Sequence, residues 1–245
     1  MVHGLPDWGL RGPKSTTYGL DDLGEAVARL GSPVVWDRRG DVVVLEGFEG
    51  GGGTWYSLTA GAGASTHRTC GGAHTGAYGV ELMAGSNGLR YGCVYLVSPA
   101  LVLGPCGFEA WFGVAEETSS IRLAMTYYTG TRRYSASLDY IHADGGLWLA
   151  TQDVPFVRIG EVTPLYERYG PRHVAKLVAD FSMGTYERVI LDDVTYSVHG
   201  IPFHDAGDPL NAQFTAALYH YGNAGENPAI VADDLILTQN EPVSI

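Results

Sequence analysis

From residue 41 almost to the C-terminus the chain repeats one pattern, short runs of alternating apolar and polar residues closed by glycine, proline, asparagine or aspartate. A period of two places successive side chains on opposite faces of a strand. Such runs fall at 53–58, 78–83, 89–97, 106–114, 121–128, 133–141 and 147–152, then at 174–181, 186–191, 195–198, 213–221 and 229–237. No helical period separates them, so parallel βαβ units are not expected. The pattern predicts an all-β fold, an antiparallel β-sandwich or jelly roll. Thirty-four glycines supply turns for many strands, and an apolar fraction of 45% is enough to fill a core. Residues 34–37 and 41–48 flank Arg38-Arg39-Gly40 and read as a hairpin, and 200–211 is the longest polar loop late in the chain.

The segment before the strands differs. Residues 1–17 form a Gly/Pro-containing arm with one tryptophan, Trp8. Residues 19–31, GLDDLGEAVARLG, predict a short helix with Asp22 and Glu25 as a capping-box-like pair and Gly31 and Pro33 as its stop. Leu20, Leu23, Val27 and Leu30 share one face, which must dock on the sandwich or on a neighbouring subunit. With Trp8 they are the candidate assembly contacts. The organisation expected is 1–40 as arm, helix and start of the hairpin, and 41–245 as the sandwich domain.

A formal net charge of −12, with no compensating Lys/Arg cluster, argues against nucleic-acid partners and an anionic membrane surface. No stretch is apolar for long enough to span a bilayer, and residues 1–14 lack the apolar region of a secretory signal. Cys70, Cys93 and Cys106 form neither a disulfide framework nor a C-x-x-C pair. If 89–97 and 106–114 form a hairpin, Cys93 and Cys106 face each other, as a disulfide or as two reduced core thiols.

Three short motifs carry a resemblance. Residues 174–198, VAKLVADFSMGTYERVILDDVTYSV, read as a three-strand meander and resemble the later strands of concanavalin-like and laminin-G-like sandwiches. Phe48-Glu49-Gly50 followed by Trp55 resembles the first strand of jelly-roll carbohydrate-binding modules, and 232–237, ADDLIL, their last. The likeness covers about 41–238. It implies a structural calcium held by Glu49 and Asp233, tying the terminal strands together. Alternation with Leu235 and Leu237 is expected to point Asp233 inward and Asp234 the other way.

The middle strands suggest a binding face. Ile121, Leu123, Met125 and Tyr127 alternate with Arg122, Ala124, Thr126 and Tyr128, and Tyr134, Ala136, Leu138 and Tyr140 alternate with Arg133, Ser135, Ser137 and Asp139. With the apolar series in the core, Tyr128, Arg133, Asp139 and Trp148 share the outer face, where rings and charged groups suit a glycan or another subunit. Paired carboxylates in a Glu-x-Asp-x-x-Glu pattern, a Gly-x-Ser-x-Gly elbow and H-E-x-x-H spacing do not occur, so catalysis is not expected. The function expected is a structural protein of a larger assembly, similar in its order of arm, helix and sandwich to decoration or tail-associated proteins of phage virions. It would be made in a host cytoplasm, with other subunits as partners. The alternative is an extracellular carbohydrate-binding module or lectin.

Overall fold

A computed structural model describes residues 39–50, 55–86, 90–99, 101–116, 118–162, 165 and 168–243. Two antiparallel eight-stranded sheets form a sandwich. The first sheet contains β1 (Asp41–Glu46), β3 (Ser65–Thr69), β4 (Gly79–Met83), β6 (Pro105–Val114), β11 (Arg168–Asp180), β12 (Thr185–Leu191), β13 (Val194–Ser197) and β16 (Ala229–Gln239). The second contains β2 (Trp55–Ala60), β5 (Tyr91–Pro99), β7 (Thr118–Tyr128), β8 (Arg132–Ile141), β9 (Gly146–Leu149), β10 (Val157–Glu161), β14 (His204–Gly207) and β15 (Gln213–Gly222).

The first sheet runs β13-β12-β11-β6-β16-β4-β3, with β1 on the C-terminal half of β16 beside β4. The second runs β10-β9-β8-β7-β15-β5-β2, with β14 on the N-terminal half of β8. Alternation delivers one face of most strands to a core between the sheets. Phe108, Phe112, Leu177 and Leu237 from the first sheet meet Leu123, Met125, Leu138 and Phe214 from the second, all 2% exposed or less. Each such side chain stabilises the fold by about 1.5–3 kcal/mol relative to the same group left in water. The Ser-Met-Gly and Asp-Asp turns join β11, β12 and β13 as the predicted meander.

Three strands escaped the sequence pattern. β3 (STHRT) has no aliphatic residue, β10 is a short edge strand, and β14 lies inside the segment read as a polar loop. One pairing is corrected. Residues 89–97 and 106–114 are not a hairpin, because β5 belongs to the second sheet and β6 to the first. Cys93 and Cys106 are therefore separate buried free thiols, Cys106 in the core between the sheets and Cys93 on the outer face of the second. Within the described residues β1 pairs with β16. Residues 34–37, the arm, the predicted helix and the contacts Trp8, Leu20, Leu23, Val27 and Leu30 lie outside the described residues.

Candidate functional site

The register of the second sheet builds a row of side chains across six strands. Cys93 on β5 pairs with Tyr219 on β15, Tyr219 with Arg122 on β7, Arg122 with Asp139 on β8, Asp139 with Trp148 on β9, and Trp148 with Arg158 on β10. Paired residues share a face, and here it is the face turned away from the core. Beside this row, Ala217, Ala124 and Ser137 form a second row of small residues on β15, β7 and β8. Small side chains flanked by tall ones make a trough. A cleft of about 330 Å³ opens there, lined by Tyr91, Tyr219, Tyr221, Arg122, Thr126 and Ser135 among others.

Arg122 is the hub. Its Nε–H donates to Asp139 Oδ1 at 2.7 Å and its Nη1 lies 3.4 Å from the Tyr221 hydroxyl. The guanidinium also lies 5.5 Å from the Tyr221 ring centroid and 5.9 Å from that of Phe156, within cation–π range on both sides. Phe156, in the loop between β9 and β10, is 44% exposed, so a large ring is held near Arg122 rather than in the core. Tyr91, Tyr219 and Tyr221 pack on one another at centroid distances of 5.5–5.9 Å.

Burial pushes the Asp139 carboxyl up, partly offset by the Arg122 charge beside it. Burial also raises the phenols of Tyr219 and Tyr221, so both remain protonated donors through the neutral range. The Cys93 thiol is pushed up to about 12, chiefly by burial, and stays uncharged beside Tyr219.

All four side chains predicted for a glycan site lie on this face, but the structure divides them. Asp139 and Trp148 are direct partners in the row. Tyr128 and Arg133 pair with each other six residues further along β7, a distance of about 20 Å at strand rise. Arg133 is drawn instead to Asp208, 3.6 Å away. The residues that sequence reasoning left out of the site are Arg122, Tyr91, Tyr219, Tyr221 and Phe156. The alternation of Tyr219 and Tyr221 in 213–221 was visible. Only the pairing of β15 between β5 and β7 shows what they stand beside.

The first sheet holds the residues expected to bind calcium. Asp233 is fully buried, and a bulge between Asp233 and Ile236, with Asp234 at φ 45°, breaks the alternation assumed for it. Leu235 and Leu237 enter the core, whereas Asp233 pairs with Trp111, whose alternate neighbours Ala110 and Phe112 are the core residues. Asp233 is therefore not inward-pointing in step with Leu235, a correction to the sequence expectation. Asp234 does not turn away from it either.

Asp233 Oδ2 accepts the N–H groups of His74 and Thr75 at 2.9 and 3.1 Å, and its Oδ1 accepts the Asp234 N–H at 2.8 Å. Asp234 binds His74 Nδ1 at 2.6 Å and the Thr75 hydroxyl at 2.7 Å. Glu49 Oε1 accepts the N–H groups of Ala77 and Tyr78 at 2.7 and 2.8 Å. His74 stacks on Trp111 at 3.6 Å. Gly76 is at φ 64°, and a β-carbon there would collide with the Glu49 carboxylate.

A calcium ion needs roughly six to eight oxygen ligands, whereas Glu49 Oε1 and the oxygens of Asp233 and Asp234 face N–H and O–H donors. Among the described residues no three His, Cys, Asp or Glu side chains are grouped so as to hold a metal. Glu49 Oε1, Asp233 and Asp234 grip the 74–78 loop directly.

No protein-family model matches the chain, and no curated protein matches it in sequence. Solved structures do match it. An endo-beta-1,4-glucuronan lyase from the fungus Trichoderma reesei is 12% identical, with a TM-score of 0.53 over 81% of this chain and 95% of the other. Alginate lyase vAL-1 from Chlorella virus is 11% identical, with a TM-score of 0.53 over 81% and 99%. A Bacillus subtilis protein of unknown function with a galectin-like fold is 10% identical, with a TM-score of 0.50 over 82% and 97%. At these identities the likeness concerns the fold, and it agrees with the jelly-roll sandwich expected from the sequence.

Proposed function

We propose that this protein is a carbohydrate-binding β-sandwich that holds a glycan in the cleft on the outer face of the second sheet and does not cleave it. The observation that carries this reading is the row from Tyr219 through Arg122 and Asp139 to Trp148. A sugar presents apolar C–H faces and many hydroxyls. Rings beside hydrogen-bonding groups satisfy both, and a trough of small residues leaves room for the ligand. Two of the sandwiches with a similar fold are named for lyase activity on glucuronan and on alginate, which agrees with a polysaccharide partner.

Binding without cleavage is supported by the state of the cleft's groups. The phenols of Tyr219 and Tyr221 are shifted towards retaining their protons, and Asp139 is committed to Arg122. A general base must be ionisable near the working pH and free to reach its proton. His220, between Tyr219 and Tyr221 on β15, turns its ring the other way, to the Leu82 carbonyl and the Thr118 hydroxyl, and on the cleft face the nearest histidine by register is His204, across from Ser135 on β14.

Glycan-array binding tests the reading. Wild type is expected to bind, and Trp148→Ala and Tyr221→Ala to lose binding while keeping the wild-type circular dichroism spectrum. Product release from a bound polysaccharide, abolished by His204→Ala, would contradict the non-catalytic part. The virion-assembly role expected from the arm (1–17) and the helix (19–31) concerns positions outside the described residues.

A further inference from the structure

We infer that the glycan is acidic, and that Arg122 reads a sugar carboxylate in mid-cleft. This rests on the glycan-binding reading above and adds the chemical class of the ligand.

The first support is the balance of charge. The protein carries a formal net charge of −12, yet among the described residues that line the cleft Arg122 is the only charged side chain. Asp139, the nearest acid, is 3% exposed and lies against Arg122 Nε. An acidic chain that keeps its carboxylates off one trough leaves that trough able to accept an anion.

The second is the inventory of donors. A guanidinium carries five N–H groups in a fixed fork. Asp139 takes the Nε–H and the Tyr221 hydroxyl lies near Nη1, while no described residue accepts from Nη2. The Arg122 side chain is 31% exposed, so this edge is open. Asp139 on one side and the rings of Tyr221 and Phe156 on two others orient the fork before a ligand arrives. That is the preorganisation that charge-assisted carboxylate recognition needs.

The third is what the cleft lacks. A carboxylate only accepts, and it is best met by groups that donate without competing acceptors. Here the lining consists of Arg122, tyrosines, serines, a threonine and alanines, with no open carboxylate or side-chain amide. The hydroxyls can each donate, and the guanidinium can only donate. A carboxylate placed over Arg122 takes the Nη2–H groups and the Tyr221 O–H together.

Calorimetric titration of the full chain with a panel of oligouronates (galacturonate, glucuronate, mannuronate, guluronate), each beside its form with the carboxyls reduced to hydroxymethyl groups, tests this. At least one acidic ligand is expected to bind, with its reduced form weaker by about tenfold or more, the size of one charge-assisted hydrogen bond. Added salt should weaken the acidic ligand alone. Arg122→Lys, which keeps a cation beside Asp139 but removes the fork, should shrink the difference between the two forms. Equal affinity for acidic and reduced ligands, with Trp148→Ala weakening both, would overturn this inference and leave the glycan-binding reading standing. Failure of every oligosaccharide, acidic and neutral, to bind would sink both.

Discussion

Arg122 and Asp139 face each other across the β7–β8 register, with the Nε–H of one 2.7 Å from Oδ1 of the other. The two ends of this pair differ in their surroundings. Asp139 is sealed from water, whereas the Arg122 side chain is about one-third open to the cleft. The pair therefore anchors the sheet on one side and presents donors on the other.

Removing the cation should leave a buried carboxylate without its partner. Arg122→Ala is expected to lose about 2 kcal/mol, less than the figure for a fully buried pair because the arginine is partly solvated. Adding Asp139→Leu should recover part of the loss. Urea denaturation of the two single variants and the double variant measures this; a neutral Arg122→Ala would contradict it.

A second buried ion cluster closes the C-terminal end of β16. Glu241 accepts from Lys176 Nζ at 2.8 Å, from the Arg188 guanidinium and from the Thr238 hydroxyl at 2.6 Å, and all three charged side chains are 4% exposed or less. Arg188 also donates to the Pro242 carbonyl at 2.8 Å. Glu241→Ala removes the carboxylate shared by two buried cations and is expected to cost about 3–5 kcal/mol. Denaturant midpoints measure this, and a loss under 1 kcal/mol would show that water screens the cluster.

Two buried groups give opposite pH dependences. His220 bridges the sheets, with Nδ1 3.0 Å from the Leu82 carbonyl and Nε2 3.1 Å from the Thr118 hydroxyl. A carbonyl only accepts, so Nδ1 carries the proton and Nε2 receives the threonine hydrogen. Burial lowers its pKa from 6.5 to about 4. The unfolded chain then binds the extra proton first, and the stabilisation from neutral His220, complete above 6.5, is lost as pH falls towards 4.

Asp233 is raised from 3.8 to about 6, mainly by burial and then by Asp234. Its folded form takes the proton first, so its contribution is largest below 3.8 and is lost as pH rises through 6. Stability profiles of His220→Gln and Asp233→Asn between pH 4 and 7 should tilt in opposite directions relative to wild type. Parallel profiles would contradict both assignments.

The 74–78 loop is held by carboxylates acting on N–H and O–H donors. Chelation should therefore leave the melting temperature unchanged, and added calcium should not raise it. Asp234→Ala, which strips both the His74 and the Thr75 side-chain contacts, should lower it by several degrees. A drop on chelation that calcium reverses would show that these oxygens bind metal after all.

Much of the fold was legible because alternation is a local signal. Ile121, Leu123, Met125 and Tyr127 are buried as their spacing requires, and Asp139 and Trp148 share the outer face as predicted. The site was legible only in half, since a row across a sheet is a property of pairing. Tyr219 lies 97 positions from Arg122 in the chain and beside it in the sheet, and nothing local in 213–222 says that β15 inserts between β5 and β7. Asp233 was misplaced for a related reason. Period-two counting assumes an unbroken strand, and the bulge at Asp234 shifts the count by stepping through positive φ. The Cys93 and Cys106 strands read as a hairpin because strands consecutive in sequence are usually neighbours. Here the link crosses between the sheets.

The most direct test of the binding cleft is a backbone-amide chemical-shift map recorded while an oligosaccharide that binds is titrated into the labelled protein. The shifts should concentrate on β15, β7, β8 and β9 around Tyr219, Arg122, Asp139 and Trp148. Shifts gathered on the first sheet around Trp111 and Asp233, with the Arg122 row silent, would contradict the account.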